Sequence, residues 1–209
     1  MSRSADRHAA PGAKGAVLQH EKMGGPFTPA AKRALFEASR RARIEDAPEL
    51  RTDHLLLGLL DVPDSVAAQL LAEFGIPEAR EHLIAAFRAV DRRGGLSDSD
   101  LDALAGLGIE VETIVERVEE NLGANALSAT RTGRRRGWPA PGRGMVAFSR
   151  DMYRTIHSAV IEMKETRSKN VGPEHLLLAL LQRPGIVSEV LADYELTYPE
   201  ARRYLAAHA

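Results

Sequence analysis

Between Phe27 and Phe87 the apolar positions fall into four blocks. Ala31, Ala34, Leu35, Ala38 and Ala42 recur at helical spacing, with Thr28 placed to cap the helix and Pro29 at its first position. Small residues along that face allow a second helix to approach closely. The next block, His54-Leu55-Leu56-Leu57-Gly58-Leu59-Leu60, is apolar on nearly every side, as a helix wrapped by others must be, and Pro63 ends it. A loop around Ala47-Pro48-Glu49 joins these two. A third helix is predicted from Val66, Ala67, Leu70, Leu71 and Phe74, stopped by Gly75, and a fourth from Pro77-Glu78 through Leu83, Ile84 and Phe87.

The same plan returns from Phe148. Met152, Ile156, Ala159, Val160 and Met163 mark a first helix, His175-Leu176-Leu177-Leu178-Ala179-Leu180-Leu181 the apolar one, and Ile186, Val190, Leu191 and Tyr194 the third. Phe27 to Phe148 and His54 to His175 are both displaced by 121 residues. Pro77-Glu78-Ala79-Arg80 recurs as Pro199-Glu200-Ala201-Arg202, so the loops absorb the differences in length. A duplicated unit with an apolar centre predicts an all-α protein: two four-helix repeats, packed on each other about a pseudo-twofold axis.

Between the copies, Leu101, Leu104, Leu107 and Ile109, then Val111, Ile114, Val115, Val118 and Leu122, describe two further amphipathic helices. Ser97, Asp98 and Ser99 are their candidate caps, and the first repeat is the surface they are expected to cover. Gly, Pro, Arg, Ala and Thr dominate from Gly123 to Gly144 and predict a flexible linker. The expected organisation is a disordered tail at 1–25, a first repeat at 26–90, an inserted helical segment at 91–122, a linker at 123–147 and a second repeat at 148–209.

A hydrophobic share of 44% and a charged share of 27% fit a globular chain, and an aromatic share of 5% argues against an aromatic-rich β fold. With no cysteine there is no disulfide, thiolate ligand or cysteine nucleophile. The net charge of -1 hides an asymmetry. No acid occurs between Glu120 and Asp151, while Arg131, Arg134, Arg135, Arg136, Arg143 and Arg150 fall in that gap. No stretch approaches the roughly 18 apolar residues that span a bilayer, and Met1 to Gly25 lacks the apolar run of a signal peptide. The expected location is the cytoplasm, away from membranes.

The pattern Phe-Thr-Pro-x-x-Lys-Arg-x-Leu from Phe27, followed by Thr52-Asp53-His54-Leu55-Leu56-Leu57-Gly58-Leu59-Leu60, resembles the Clp amino-terminal repeat, the paired four-helix module at the front of ClpA- and ClpC-type unfoldases. The resemblance covers residues 27 to 88 and 148 to 208, and Leu104 to Leu127 resembles the middle of stand-alone actinobacterial members that carry no ATPase module. No Gly-x-x-x-x-Gly-Lys-Ser/Thr loop occurs in the sequence. The resemblance therefore implies recognition without the motor: a non-catalytic protein- or peptide-binding module, without cofactor, acting as adaptor, regulator or decoy in Clp-dependent proteolysis. Its implied partners are substrate proteins or peptides, components of the Clp ATPase or protease, and cyclic-peptide antibiotics.

In ClpC-type relatives the start of the apolar helix reads Gly-Thr-Glu-His and takes part in binding phosphorylated arginine. Free N–H groups at a helix start and a hydroxyl suit phosphate, and a carboxylate suits guanidinium. The resemblance thus points to Arg51, Thr52, Asp53 and Glu174 as peptide- or phosphoarginine-binding candidates. Arg51-Thr52-Asp53-His54 keeps the hydroxyl and adds a cation; Gly172-Pro173-Glu174-His175 keeps the carboxylate and loses a donor at Pro173. The competing reading is structural, since an acid in a first turn complements the helix dipole and Pro is an ordinary helix start. His54 and His175 each sit beside one acid without a second ligand at local spacing, which favours structural hydrogen bonding over metal or catalysis.

Relatives present a hydrophobic and charged groove where Phe27, Lys32 and Phe148 stand here, although an aromatic just before a helix also serves as a staple. Tyr153 replaces the lysine in the second copy. The alternative function is a nucleic-acid-binding regulator, with Arg134, Arg135 and Arg136 on phosphate and Trp138 stacking on a base. No helix-turn-helix pattern or second basic face supports it. Glu110, Glu112, Glu116, Glu119 and Glu120 alternate with an apolar face, the pattern of a solvated helix rather than a catalytic pair, and no Gly-x-Ser-x-Gly elbow supplies a nucleophile.

Overall fold

The computed structural model describes residues 26–96, 98–123 and 146–208. Among them, ten helices and two very short strands follow in order: α1 (Pro29–Ile44), β1 (Glu49–Leu50), α2 (Thr52–Leu60), α3 (Val66–Glu73), α4 (Arg80–Arg92), α5 (Asp98–Gly106), α6 (Val111–Leu122), β2 (Ala147–Phe148), α7 (Arg150–Glu165), α8 (Pro173–Gln182), α9 (Ile186–Ala192) and α10 (Tyr198–Ala207). The expected tail, the expected Ser97 cap and residues 124–145 of the expected linker lie outside the described residues.

The two copies fold alike because their local signals are alike. Thr28 accepts the Ala31 N–H at 3.2 Å to open α1, and Ser149 accepts the Met152 N–H at 3.1 Å to open α7. Both first helices then end on a residue in the left-handed region, Asp46 at φ 50° and Arg167 at φ 55°. After the third helix, Gly75 takes φ 68° in the first copy and Glu195 takes φ 61° in the second.

Along α2 every residue from Asp53 to Leu59 is buried. The alanine face of α1 lets this helix come close: at Gly58 a Cβ would meet the Ala34 carbonyl and would lie 2.8 Å from the Ala38 nitrogen. Leu55, Leu56 and Leu59 of α2 and Leu176, Leu177 and Leu178 of α8 belong to one continuous buried cluster, so the repeats share a core.

At the seam the copies exchange backbone bonds reciprocally. The Thr28 N–H donates to the Val171 carbonyl at 2.9 Å, and the Ser149 N–H donates to the Leu50 carbonyl at 3.0 Å. Phe27 bridges Val171 in parallel, while Leu50 pairs with Phe148 in the β1–β2 ladder. Each residue on one side lies 121 positions from its equivalent on the other, as the pseudo-twofold arrangement requires.

Each repeat also ties its first helix to the start of its fourth, with opposite polarity. In the first copy the Asp61 carboxylate holds Arg41 at 3.2 Å and Arg80 at 2.6 Å. In the second, the fully buried Glu162 replaces Arg41, accepting from Arg202 at 3.1 Å and from the Tyr198 hydroxyl at 2.9 Å.

Three features differ from the expected pattern. Phe148 and Glu49 lie in short paired strands where a groove or staple aromatic and a loop were expected, because a two-residue strand has no period to read. The fourth helix starts at Arg80 rather than Pro77-Glu78 and runs to Arg92, the intervening residues being taken up in turns closed by Ala79 and Arg80 N–H groups. The α5–α6 hairpin packs chiefly on itself; Val111 is buried, while Leu107 is 77% and Ile114 50% exposed, so its cover of the first repeat is slight. Among the described residues no single helix is long and apolar enough to cross a membrane.

Candidate functional site

The two repeats meet around a cleft of about 680 Å³. The first repeat contributes the loop from Glu45 to Glu49, the start of α2 and the last turns of α4; the second contributes the start of α7 and the connection from Arg183 to Ser188 that leads into α9. Phe87, Val90, Leu180 and Ile186 form apolar parts of the wall.

Arg51 sits at the centre of the polar wall, but its cation is already engaged. Its guanidinium grips the Asp53 carboxylate with two bonds, Nε to Oδ1 at 3.2 Å and Nη2 to Oδ2 at 2.8 Å, and its Nη1 reaches Asp91 Oδ1 on α4 at 2.8 Å. Burial pushes the Asp53 carboxyl up, yet His54 and the Arg51 guanidinium outweigh it and hold Asp53 below the usual carboxylate range. Burial likewise works against the Arg51 cation, and Asp53, Asp91 and Glu45 together raise it above its ordinary value.

His54 completes the corner. The Arg51 N–H donates to its Nδ1 at 3.0 Å, which leaves Nε2 as the protonated nitrogen facing Glu45 Oε2 at 3.2 Å. The second copy repeats this join. Gly172 N–H donates to His175 Nδ1 at 2.9 Å, and His175 Nε2 faces Thr166 Oγ1 at 2.8 Å. Glu45 and Thr166 are the residues that close α1 and α7, so each histidine fastens the end of one helix to the start of the next. This is the structural role expected for them. Among the described residues no three His, Cys, Asp or Glu side chains gather to hold a metal.

Asp53 folds back onto the His54 backbone N–H, and Glu174 onto its own. Burial pushes the Glu174 carboxyl up, but His175 and that N–H keep it below its ordinary range.

Of the residues singled out from sequence, Arg51, Thr52 and Asp53 line the cleft together. Glu174 is not in its lining; it occupies the equivalent helix start in the second repeat. Phe27 and Phe148 are half-buried against the shared core at the two ends of the seam, and Phe148 also meets the Tyr153 ring at 5.3 Å. Lys32 is half-buried on α1. Arg134, Arg135, Arg136 and Trp138 lie outside the described residues. Sequence reasoning missed Asp91, which the fold brings to Arg51 from 40 residues away, and the acids and arginines of the two flanking loops. No local pattern marks any of them.

The family model for the Clp repeat (R) N-terminal domain matches residues 26–92 and 146–208, the two repeats described above. The ATP-dependent Clp protease ATP-binding subunit ClpC of Staphylococcus epidermidis is 26% identical over 179 residues, and that of Staphylococcus aureus 23% identical over the same length. Each alignment covers 85% of this chain and 16% of the relative, so the chain spans about one sixth of the curated relatives it matches. Among solved structures, the N-terminal domain of the chaperone ClpD from Arabidopsis thaliana aligns with 87% of this chain and 95% of that one, at 18% identity and a TM-score of 0.46. A chain from a malarial protein secretion system aligns with 88% and 95%, at 17% identity and the same TM-score. With the family model matching more than half of its residues, in both halves of the duplicated fold, the chain belongs to the Clp repeat N-terminal domain family.

Proposed function

We propose that this chain is a non-catalytic module that binds protein or peptide segments in the cleft between its repeats, and that it acts in Clp-dependent proteolysis as an adaptor, regulator or decoy. The observation that carries the reading is the cleft itself. It is built by both repeats, it combines an apolar wall with charged groups, and it contains Arg51, Thr52 and Asp53 at the helix start to which the resemblance points. The likeness to the amino-terminal part of ClpC supports the setting, since the two chains would then compete for the same partners or join them. Phe27, Lys32 and Phe148 along the seam, and Glu174 at the matching helix start, are proposed as secondary contacts.

The test is a reconstituted proteolysis reaction driven by a ClpC unfoldase with its peptidase, into which the chain is titrated. A decoy slows turnover of the client and an adaptor speeds it, in both cases saturably, and a Thr52→Trp variant that fills the cleft loses the effect. Turnover unchanged at a large excess of the chain would contradict the proposal.

A further inference from the structure

We infer that this chain self-associates, the acidic α5–α6 hairpin of one copy lying along the basic outer stripe of α1 of another. The inference is independent of what the cleft binds.

Between Asp98 and Gly123 the sequence places eight carboxylates and a single cation, Arg117. On α6, Glu112, Glu116, Glu119 and Glu120 follow at steps of four, three and one, so they share one face over about 12 Å of helix. Glu116 and Glu120 are exposed and have no partner among the described residues, and Glu112 lies 3.6 Å from Arg93. Around the turn that joins the two helices, Leu107, Ile109 and Ile114 are exposed. Because the hairpin packs chiefly on itself, this charge and these apolar groups are left to solvent.

α1 is the matching surface. It carries five basic residues and one acid, whereas α7, its counterpart in the second repeat, carries three of each. Arg41 turns inward to Asp61 at 3.2 Å. Arg33, Phe36, Arg40, Arg43 and Ile44 follow at steps of three, four, three and one, which sets them in one stripe over about 16 Å. Arg33, Arg40, Arg43 and Ile44 are exposed and Phe36 is half-buried. Glu37, the one acid, engages Arg40 at 2.6 Å, and Arg33 has no partner among the described residues. Within one copy the hairpin does not pack along α1, so the stripe stays open.

The two surfaces are close in length, are opposite in charge, and each sets exposed isoleucine beside that charge. Joining them removes apolar surface from water and sets carboxylate against guanidinium. Two hairpins face to face would bury the same apolar residues but oppose carboxylate to carboxylate, which disfavours that pairing. The contact joins unlike surfaces, so every copy offers both halves of it.

Sedimentation velocity of the full chain tests this. In about 10 mM salt the parent should sediment faster as its concentration rises, and its dissociation constant should increase about tenfold or more in about 1 M salt, where the screening length falls to about 3 Å. An Arg33→Glu, Arg40→Glu variant should stay monomeric, and so should Glu116→Lys, Glu120→Lys; all four positions are exposed, and circular dichroism should show the parent's helicity in both. Mixed one to one, the two variants should associate again, because each reversed stripe then meets its opposite. A Lys164→Glu, Lys169→Glu variant, which changes the net charge equally at exposed positions of the second repeat, should associate as the parent does. A parent chain that is monomeric at every concentration in low salt overturns the inference, as does a mixture of the two reversed variants that fails to associate. Association that survives Arg33→Glu, Arg40→Glu and is lost with Arg134→Ala, Arg135→Ala, Arg136→Ala also overturns it, and gives the hairpin to the Arg-rich segment instead.

Discussion

The Thr28 N–H and the Val171 carbonyl, 2.9 Å apart, join the start of the first repeat to the start of the apolar helix of the second. Ser149 and Leu50 return the bond at 3.0 Å, and between these two joins lies a core to which α2 and α8 both contribute. Neither repeat can leave without stripping the other.

The repeats should therefore unfold together. Leu56→Ala and Leu177→Ala, each emptying a fully buried site, should each cost about 3 kcal/mol and shift one common transition in denaturant, followed by circular dichroism. Two separable transitions, each moved by one substitution, would show that the seam does not couple the halves.

Gly58 and Ala179 occupy the same place in the two copies; a Cβ at Gly58 would meet the backbone of α1, whereas Ala179 carries its Cβ in a fully buried place. Gly58→Ala should destabilise by about 1–3 kcal/mol, because α1 and α2 must move apart. Ala179→Gly should cost about 1 kcal/mol, the ordinary penalty for glycine inside a helix. Equal and small effects in thermal unfolding would mean that the close approach is not a constraint.

Glu195 holds φ 61° where its counterpart Gly75 holds φ 68°. A side chain in that region costs on the order of 1 kcal/mol, so Glu195→Gly should raise stability by up to about that amount. A loss on the same substitution would place a stabilising contact on the Glu195 side chain.

Tyr198 donates its hydroxyl to the buried Glu162, and burial followed by that carboxylate push its phenol up to about 12. The folded chain thus keeps this proton more firmly than the unfolded chain does. The associated stability is complete below about pH 10 and is lost as pH rises through 12. Tyrosinate absorbance should show Tyr198 ionising last among the tyrosines, and Glu162→Gln should bring it down. A Tyr198 that titrates with the others would remove the buried contact from the account.

The repeats, their helix order, the Thr28–Pro29 start and the buried block around Leu56 were legible because helical period and capping are local. So was the role of His54 and His175, since a histidine three residues into a helix start has an N–H beside it to bind. The seam was not legible: Leu50 and Phe148 acquire their pairing only after two distant segments are folded. Arg51 was read as an added cation at the site, and its spacing from Asp53 was visible, but Asp91 comes from another helix and turns that cation into part of a neutralised wall. The exposure of Leu107 and Ile114 was equally hidden, because an amphipathic period gives a helix its apolar face without saying what covers it.

The central claim is that polypeptide binds between the repeats rather than on an outer face. Photo-crosslinking from two positions decides it: residue 52, in the cleft, and residue 40, exposed on the outside of α1, each replaced by benzoylphenylalanine and illuminated with β-casein as an unfolded client. Adducts from position 52 that an excess of unlabelled casein suppresses, with few from position 40, are the predicted result. Adducts of equal yield from both, or from position 40 alone, would contradict it.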